Sequence, residues 1–243
     1  MAIKYMGSKA RHSKEILKVI FNEIDIKDYK YWIEPMVGGA NMIENVPSSL
    51  IRIGSDINFH IIEMFNALQR GWEPPNNLSN DEYKYLMSKK NEDLKDLYTN
   101  ALIGFAGIGC SYSGRWFEGY ARGNDSKGNP RNYCFESKKN LMSSMSNIMG
   151  VKFVHADYKE AIMPEKSIIY CDPPYFGTKK YISTFDHDIF WQWCREQYNK
   201  GNKVFISEYS APEDWKCIWE KSTNSSLTAN TGAKKSIERL FTK

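Results

Sequence analysis

Asp172-Pro173-Pro174-Tyr175 places a carboxylate, a proline carbonyl and an aromatic ring within four residues. The tetrapeptide follows Ser167-Ile168-Ile169-Tyr170-Cys171, an apolar run that reads as a buried strand of a parallel sheet. Two consecutive prolines fix φ and cannot continue a strand, so the backbone stiffens just past the strand end. In open α/β sheets ligands bind outside that carboxyl edge. A rigid corner with two acceptors and a ring suits a planar amine: the acceptors take its N–H groups and the ring stacks on its face. The same residues also form a strand-terminating turn with an Asp cap and a packed Tyr, and the tetrapeptide alone leaves both readings open.

Two further carboxylates, Asp56 and Asp157, close the apolar runs Ile51-Arg52-Ile53-Gly54-Ser55 and Val151-Lys152-Phe153-Val154-His155-Ala156. Strand ends of a parallel sheet lie on one edge, so Asp56, Asp157 and Asp172 can converge on one ligand. Asp56 lies 18 residues past Gly38, near the spacing of about 20 at which an acidic residue holds a ribose hydroxyl pair. Glu34-Pro35-Met36-Val37-Gly38-Gly39-Ala40 lets backbone approach a ligand closely. It is neither a dinucleotide fingerprint nor a P-loop, so a nucleoside without a pyrophosphate fits better than NAD or ATP. An Asx turn at Asp56, with Asn58 capping the next helix, is the structural alternative.

These residues need elements to hold them. Ile16, Leu17, Val19, Ile20 and Ile24 recur at helical spacing, Tyr31-Trp32-Ile33-Glu34 is a short strand, and Ile61 to Arg70 reads as a helix. This βαβα rhythm marks a doubly wound sheet. It breaks at Gly71-Trp72-Glu73-Pro74-Pro75 and resumes at Val151. Between them two helices are predicted, one capped by Ser79 or Asn80 and one over about 133–149, separated by a loop over 104–130 with seven glycines. Residues 71–150 thus read as an inserted helical subdomain. After Cys171 come a polar loop through Thr184, a helix over about 186–200, a strand at Lys203 to Ser207, and a closing antiparallel hairpin with Thr231-Gly232-Ala233 before Ser236 to Phe241.

The net charge is only +4, but its distribution is informative. Residues 111–139 hold six basic residues (Arg115, Arg122, Lys127, Arg131, Lys138, Lys139) against three acidic ones (Glu118, Asp125, Glu136), mixed with Tyr112, Trp116, Phe117, Tyr120, Tyr133 and Phe135. Cations interleaved with rings suit a phosphate backbone and unstacked bases; a solvated loop with a few buried rings is the other reading. Five scattered cysteines without a C-x-x-C pair and four scattered histidines predict reduced thiols and no metal site. No apolar run is long enough to span a membrane and no signal peptide is expected, so a cytoplasmic location is anticipated.

Lys4-Tyr5-Met6-Gly7-Ser8-Lys9, Glu34 to Ala40, Ser55-Asp56-Ile57-Asn58, His155-Ala156-Asp157-Tyr158 and Asp172-Pro173-Pro174-Tyr175 occur in the order and contexts of the Dam-type, α-class DNA adenine-N6 methyltransferases, and the chain resembles that family from residue 4 to Glu238-Arg239-Leu240-Phe241. The resemblance implies a Rossmann-like catalytic domain (1–70 and 151–243), with the 71–150 insert as DNA target-recognition domain and S-adenosylmethionine as cofactor. It implies that Tyr5, Lys9 and Glu34 line the cofactor pocket, with Pro35, Gly38 and Gly39 against the methionine portion. Asp56 would hold the ribose, Asp157 and Tyr158 the adenine ring and its amino group, and Asp172 would lie between cofactor and target base. Tyr5 stands where the family often has Trp, and Met36 and Ala40 replace its usual Phe and final Gly.

The expected reaction is methyl transfer to the N6 amine of an adenine flipped out of the stack. Asp172 and the Pro173 carbonyl would accept its two N–H bonds and Tyr175 would stack on the base. Double-stranded DNA is the expected partner, contacted by Arg115, Trp116, Tyr120 and Arg122 of the insert and by Lys4 near the target base, and the enzyme is expected to act as a monomer. The same corner can hold the exocyclic amine of cytosine, making an N4-cytosine methyltransferase the nearest rival. A DNA-binding module of this fold without catalysis is the alternative from another class.

Overall fold

A computed structural model describes residues 3–176, 185–225 and 234–243. The predicted loop through Thr184 falls partly, and Thr231-Gly232-Ala233 wholly, outside the described residues. Seven strands form one sheet: β1 (Tyr31–Glu34), β2 (Ile51–Asp56), β3 (Lys152–His155), β4 (Ser167–Cys171), β5 (Lys203–Glu208), β6 (Lys216–Ser225) and β7 (Lys234–Thr242). Their spatial order is β3-β2-β1-β4-β5-β7-β6. The first five are parallel, and β7 enters antiparallel between β5 and β6. The chain therefore steps outward from β1 to β3, then returns across β1 to continue at β4. That reversal leaves a crevice beyond the carboxyl ends of β1 and β4.

Alternation along the strands sorts the core into two layers. Trp32, Ile168, Tyr170, Phe205 and Leu240 face the layer with α1 (Ser13–Asn22) and α2 (Phe59–Gln69). Ile33, Ile169, Cys171, Val204, Ile206 and Phe241 face α6 (His187–Asn199), which buries Phe190, Trp191, Trp193 and Cys194. Glu34, Asp172 and Glu238 share the parity of the first set, so all three carboxylates are on the α1 side of the sheet edge.

The 71–150 segment holds three helices rather than two: α3 (Asn80–Ser88), α4 (Leu97–Gly109) and α5 (Tyr133–Ile148). Ser79 and Glu82 make a reciprocal capping box at α3, and Asp96 and Asn132 cap α4 and α5. The sequence reading took 104–130 as a Gly-rich loop and missed α4. This helix is apolar on nearly every side, so it lacks the amphipathic stripe that reveals surface helices. Gly104 serves close packing there: a Cβ on it would lie 2.1 Å from the His60 carbonyl oxygen of α2. Insert residues Tyr83, Phe105, Ile108, Phe117 and Leu141 belong to the same core cluster as the α1 side of the sheet.

The return from insert to sheet is stitched by polar groups. Buried Arg52 of β2 donates to the Asn147 and Met149 carbonyls at 2.7 and 2.9 Å, a cation at the carboxyl end of α5. Gln69 Nε2 donates to the Ile148 and Val151 carbonyls, both at 2.8 Å. Gly104→Ala is expected to destabilise the protein by about 1–3 kcal/mol through overpacking of α4 against α2. Thermal melting tests this, and a wild-type midpoint in the variant would show that the two helices do not approach so closely.

Candidate active site

Asp172 follows β4 by one residue, with Pro173 buried beneath it. Its carboxylate is held from the opposite end of the chain. Lys9 Nζ donates to Asp172 Oδ1 at 2.9 Å and Oδ2 at 3.1 Å, and to the Gly7 carbonyl at 3.1 Å. Lys9 begins a short 3-10 turn, Lys9–Arg11, whose first N–H groups are capped by the Ser8 hydroxyl accepting from Ala10 N. Gly7 supplies the positive φ (+78°) that turns the chain inward here. Lys9 is only 6% exposed while Asp172 is 23% exposed, so the carboxylate is the member of the pair open to the crevice.

Glu238 of β7 completes the cluster. Its Oε2 lies 3.5 Å from Lys9 Nζ and accepts from the Tyr175 hydroxyl at 2.7 Å. The Lys9 ammonium sits 4.5 Å from the Tyr175 ring centroid, and Tyr209 meets that ring edge-on. Burial works against the Lys9 charge, but Asp172 and Glu238 outweigh it and hold the ammonium above its ordinary pKa. Desolvation raises the Asp172 carboxyl, with Lys9 opposing. Desolvation, then Asp172 and Glu238, keep the Tyr175 phenol firmly protonated, which fixes it as a donor.

Two other carboxylates flank this group. Glu34, at the end of β1, is buried and accepts from Trp32 Nε1 at 2.8 Å. Desolvation, with Asp172 and Glu44 nearby and the Trp32 bond opposing, pushes it up to about 8. Glu208, at the end of β5, accepts from Tyr209 N at 2.7 Å and Phe176 N at 3.2 Å, clasping the backbone just past Tyr175. Desolvation pushes it up to about 7 against those two bonds.

The glycine turn lies beside them. Tyr5 covers Gly38 and Gly39: a Cβ on Gly39 would come 2.7 Å from Asn41 Nδ2 and 2.8 Å from Tyr5 Cβ. Gly38 has φ +46°, and its N–H donates to Asp56 Oδ2 at 2.9 Å. Asp56 Oδ1 accepts from Asn58 N at 2.8 Å while Asn58 caps α2, so the Asx turn considered from sequence is present. The Asp56 carboxylate can accept about four hydrogen bonds, more than these backbone donors use. Asp157 lies two residues past β3, close to Asp56, since Ala156 N donates to the Asp56 carbonyl. Tyr158 is buried edge-on to Phe190 and Trp193, as part of the α6-side core.

The structure thus brings together Tyr5, Lys9, Glu34, Pro35, Gly38, Gly39, Asp56, Asp157 and Asp172 along one sheet edge. Lys9, expected to line the cofactor pocket, lies on that edge with its ammonium bound to Asp172. Trp116 stacks on His60 of α2 and lies against Gly107 of α4, so its ring is occupied by packing between the insert and α2. The Tyr120 hydroxyl donates to the Leu78 carbonyl, and Arg115 pairs with Glu118 at 3.2 Å. Arg122 is exposed, 5.7 Å from the Tyr120 ring, and makes no ion pair among the described residues. A cleft of about 430 Å³ opens here, walled by Tyr120, Arg122, Arg131, Asn132 and Tyr133. Lys4 is exposed, and the backbone just past Tyr5 is tied to the insert by Met6 N donating to the Gly114 carbonyl.

Sequence reasoning assigned no role to Glu238 or Glu208, and named Arg131 and Tyr133 only as members of the basic aromatic stretch. A signal for Glu238 existed: in Ile237-Glu238-Arg239-Leu240-Phe241 it shares its strand face with Leu240, which is unfavourable for a carboxylate unless it has a partner. Among the described residues no group of His, Cys, Asp or Glu could hold a metal, and no helix is long and apolar enough to cross a membrane.

Because Glu34 titrates near 8 when folded and near 4.5 when unfolded, its contribution to stability is full below pH 4.5 and is lost as pH rises toward 8. Glu34→Gln keeps an acceptor for Trp32 and has no proton to hold. Thermal melts between about pH 5 and 8 should show wild type losing more stability than the variant. Parallel curves would mean that Glu34 is already ionised in the fold.

A family model described as D12 class N6 adenine-specific DNA methyltransferase matches residues 5–213. Among solved structures, the rRNA methyltransferase aviRa from Streptomyces viridochromogenes aligns with 9% identity over 100% of this chain and 87% of its own, at a TM-score of 0.43. SMU.472, solved in complex with SAH, aligns with 10% identity over 96% of this chain and 53% of its own, at a TM-score of 0.37. No curated protein matches the chain in sequence.

Proposed function

We propose that this chain, which belongs to the D12 class N6 adenine-specific DNA methyltransferase family, methylates an adenine extruded into the crevice between β1 and β4, with Asp172 gripping the reacting amine. The observation that carries this reading is the Asp172 carboxylate, fixed beyond β4 by Lys9 and stiff prolines yet open to the crevice.

Enzymes of this family depend on S-adenosylmethionine, and the residues present fit it. The glycine turn has no side chains of its own, which lets Tyr5 pack directly on its backbone, and the Gly38 N–H holds Asp56 beside it. Asp56 and Asp157 offer spare acceptor capacity for hydroxyl and amino groups beside it. When bound, S-adenosylmethionine supplies a methyl group on a sulfonium, which leaves as the sulfur recovers its bonding pair.

The protein's task is to present a nitrogen to that carbon. The N6 lone pair is delocalised into the purine ring, so the free amine is a poor nucleophile. Asp172 and the Pro173 carbonyl accept its two N–H bonds, which favours a pyramidal nitrogen with its lone pair directed away from the corner. Tyr175 stacks on the extruded base and holds its plane. As the N–C bond forms, positive charge on the nitrogen faces the Asp172 carboxylate, and the surplus proton leaves through that carboxylate to solvent. Positioning and electrostatic stabilisation supply the acceleration.

The insert carries the contact with double-stranded DNA. Arg122 and Lys4, both exposed, provide the electrostatic part, with the cleft beside Tyr120 and Tyr133 next to the strand. Trp116 and Tyr120 shape this surface from within. The enzyme acts as a monomer in the cytoplasm, with 71–150 as its target-recognition unit.

Asp172→Ala is expected to lower single-turnover methylation by about 10³-fold or more while DNA affinity stays near wild type. A variant that still methylates at a comparable rate would remove Asp172 from the chemistry. For the interface, Arg122→Ala should weaken binding uniformly across sequences and reduce the slope of log K against log salt by about 1. Titrations at several salt concentrations measure this, and an unchanged slope would move the interface off Arg122.

A further inference from the structure

Lys9 stands among several carboxylates, and only two can be its direct partners. Asp172 takes two of its N–H bonds and the Gly7 carbonyl the third. Glu238, at 3.5 Å, is a charge contact just beyond hydrogen-bond distance. It is anchored by the Tyr175 hydroxyl and is 16% exposed, so it is neither a surface carboxylate nor an unpaired buried one.

This arrangement is a poor one for holding an amine unless it changes. Resting on the reading of Asp172 above, the incoming nitrogen becomes positive as it takes the methyl group. An ammonium bound bidentate to the same carboxylate would repel that charge and occupy acceptor lone pairs. A second carboxylate within a short side-chain movement of Lys9 resolves the conflict. Moving Nζ from Asp172 to Glu238 needs only a few tenths of an ångström of approach, keeps Lys9 paired throughout, and frees Asp172 for the amine. A buried ammonium with no such alternative would have to be desolvated alone.

We propose that Glu238 is a positioning residue of this site: it fixes the Tyr175 ring through the phenol and receives the Lys9 ammonium when the target amine claims Asp172. The two functions use one oxygen, Oε2, so the strand β7, inserted between β5 and β6, reaches the catalytic corner through this side chain. Lys9 acts in the same device as the mobile countercharge.

Glu238→Gln tests it, since the amide still accepts from Tyr175 but carries no charge for Lys9. Expected are near-wild-type thermal stability, S-adenosylmethionine affinity by calorimetry, and base extrusion reported by 2-aminopurine at the target position, together with a fall of about 100-fold in single-turnover methyl transfer. In ¹⁵N-lysine-labelled enzyme, target duplex should shift the Lys9 resonance in wild type and leave it nearly unmoved in the variant. Tyr175→Phe, which removes the phenol but leaves Glu238 charged, should lose much less transfer. Should Glu238→Gln fail to fold, Glu238→Asp, which draws the charge away from Lys9, is expected to show the same split. Wild-type transfer in a folded Glu238 variant, or equal losses of cofactor affinity, extrusion and transfer, would overturn the proposal. Failure of the Asp172 reading itself would appear separately, as methylation surviving Asp172→Ala.

Discussion

A single ammonium, that of Lys9, makes this sheet edge possible. Asp172, Glu34 and Glu208 stand at the ends of β4, β1 and β5, where burial favours protonated carboxyls, and Glu238 reaches the same place from the middle of β7. Glu34 and Glu208 yield to that pressure and titrate near neutrality or above. Asp172 has Lys9 against both of its oxygens, which counters the desolvation that raises it. One cation therefore divides the carboxylates into a pair held by charge and a pair held by hydrogen bonds to neutral donors. Under the reading proposed above the division matters, because an acceptor for an amine that turns positive should be negative, whereas a carboxyl that braces a strand end can be neutral.

The cation reaches its place because the fold folds its own beginning onto its middle. Lys9 and Asp172 are 163 residues apart, and what joins them is the return of the chain across β1. A sheet that reverses its strand order leaves a crevice there in any case. Here the segment before α1 lies over that crevice, with Tyr5 on the glycine turn and Lys9 on Asp172. The same segment touches the insert through Met6 and Gly114, and Arg52 of β2 and Gln69 of α2 close onto the insert's other end. The insert is thus attached at both ends to elements that frame the crevice.

Much of this was readable from the sequence, for reasons that can be traced to particular residues. Ser167 to Cys171 is apolar throughout and stopped by two prolines, so β4 and its corner were legible without any long-range information. Asp56 was legible as a strand end, and its Asx turn as an alternative, because both depend on neighbours within two residues. The helix α4 was not legible: its burial on all sides erases the periodicity that separates helix from loop, and its glycines imitate turn signals. Trp116 was legible as an aromatic among cations but not as a ring already stacked on His60, since composition carries no information about which partner a ring finds. Glu238 was visible and unread, because its role depends on a lysine more than two hundred residues away.

The charges of this protein fall into two regimes with different physics. Lys9 and Asp172 meet at 2.9 Å behind Tyr175, where mobile ions barely penetrate and an unpaired charge is strongly disfavoured. Arg122 and Lys4 stand in solvent, where they lose influence within a Debye length of about 8 Å at physiological salt. Exposed cations draw in a polyanion from a distance by releasing its counterions, but they cannot favour one protonation state or geometry of a single amine. A buried pair can do so, yet it exerts no pull on a distant duplex because it is neutral overall. Because one set is buried and the other exposed, the reading proposed above has salt weaken the encounter with DNA while leaving the hold of Asp172 on an amine unchanged. An exposed Lys9 would surrender that separation, which is a physical reason for the inward turn at Gly7 and for the burial of the ammonium beneath Tyr175.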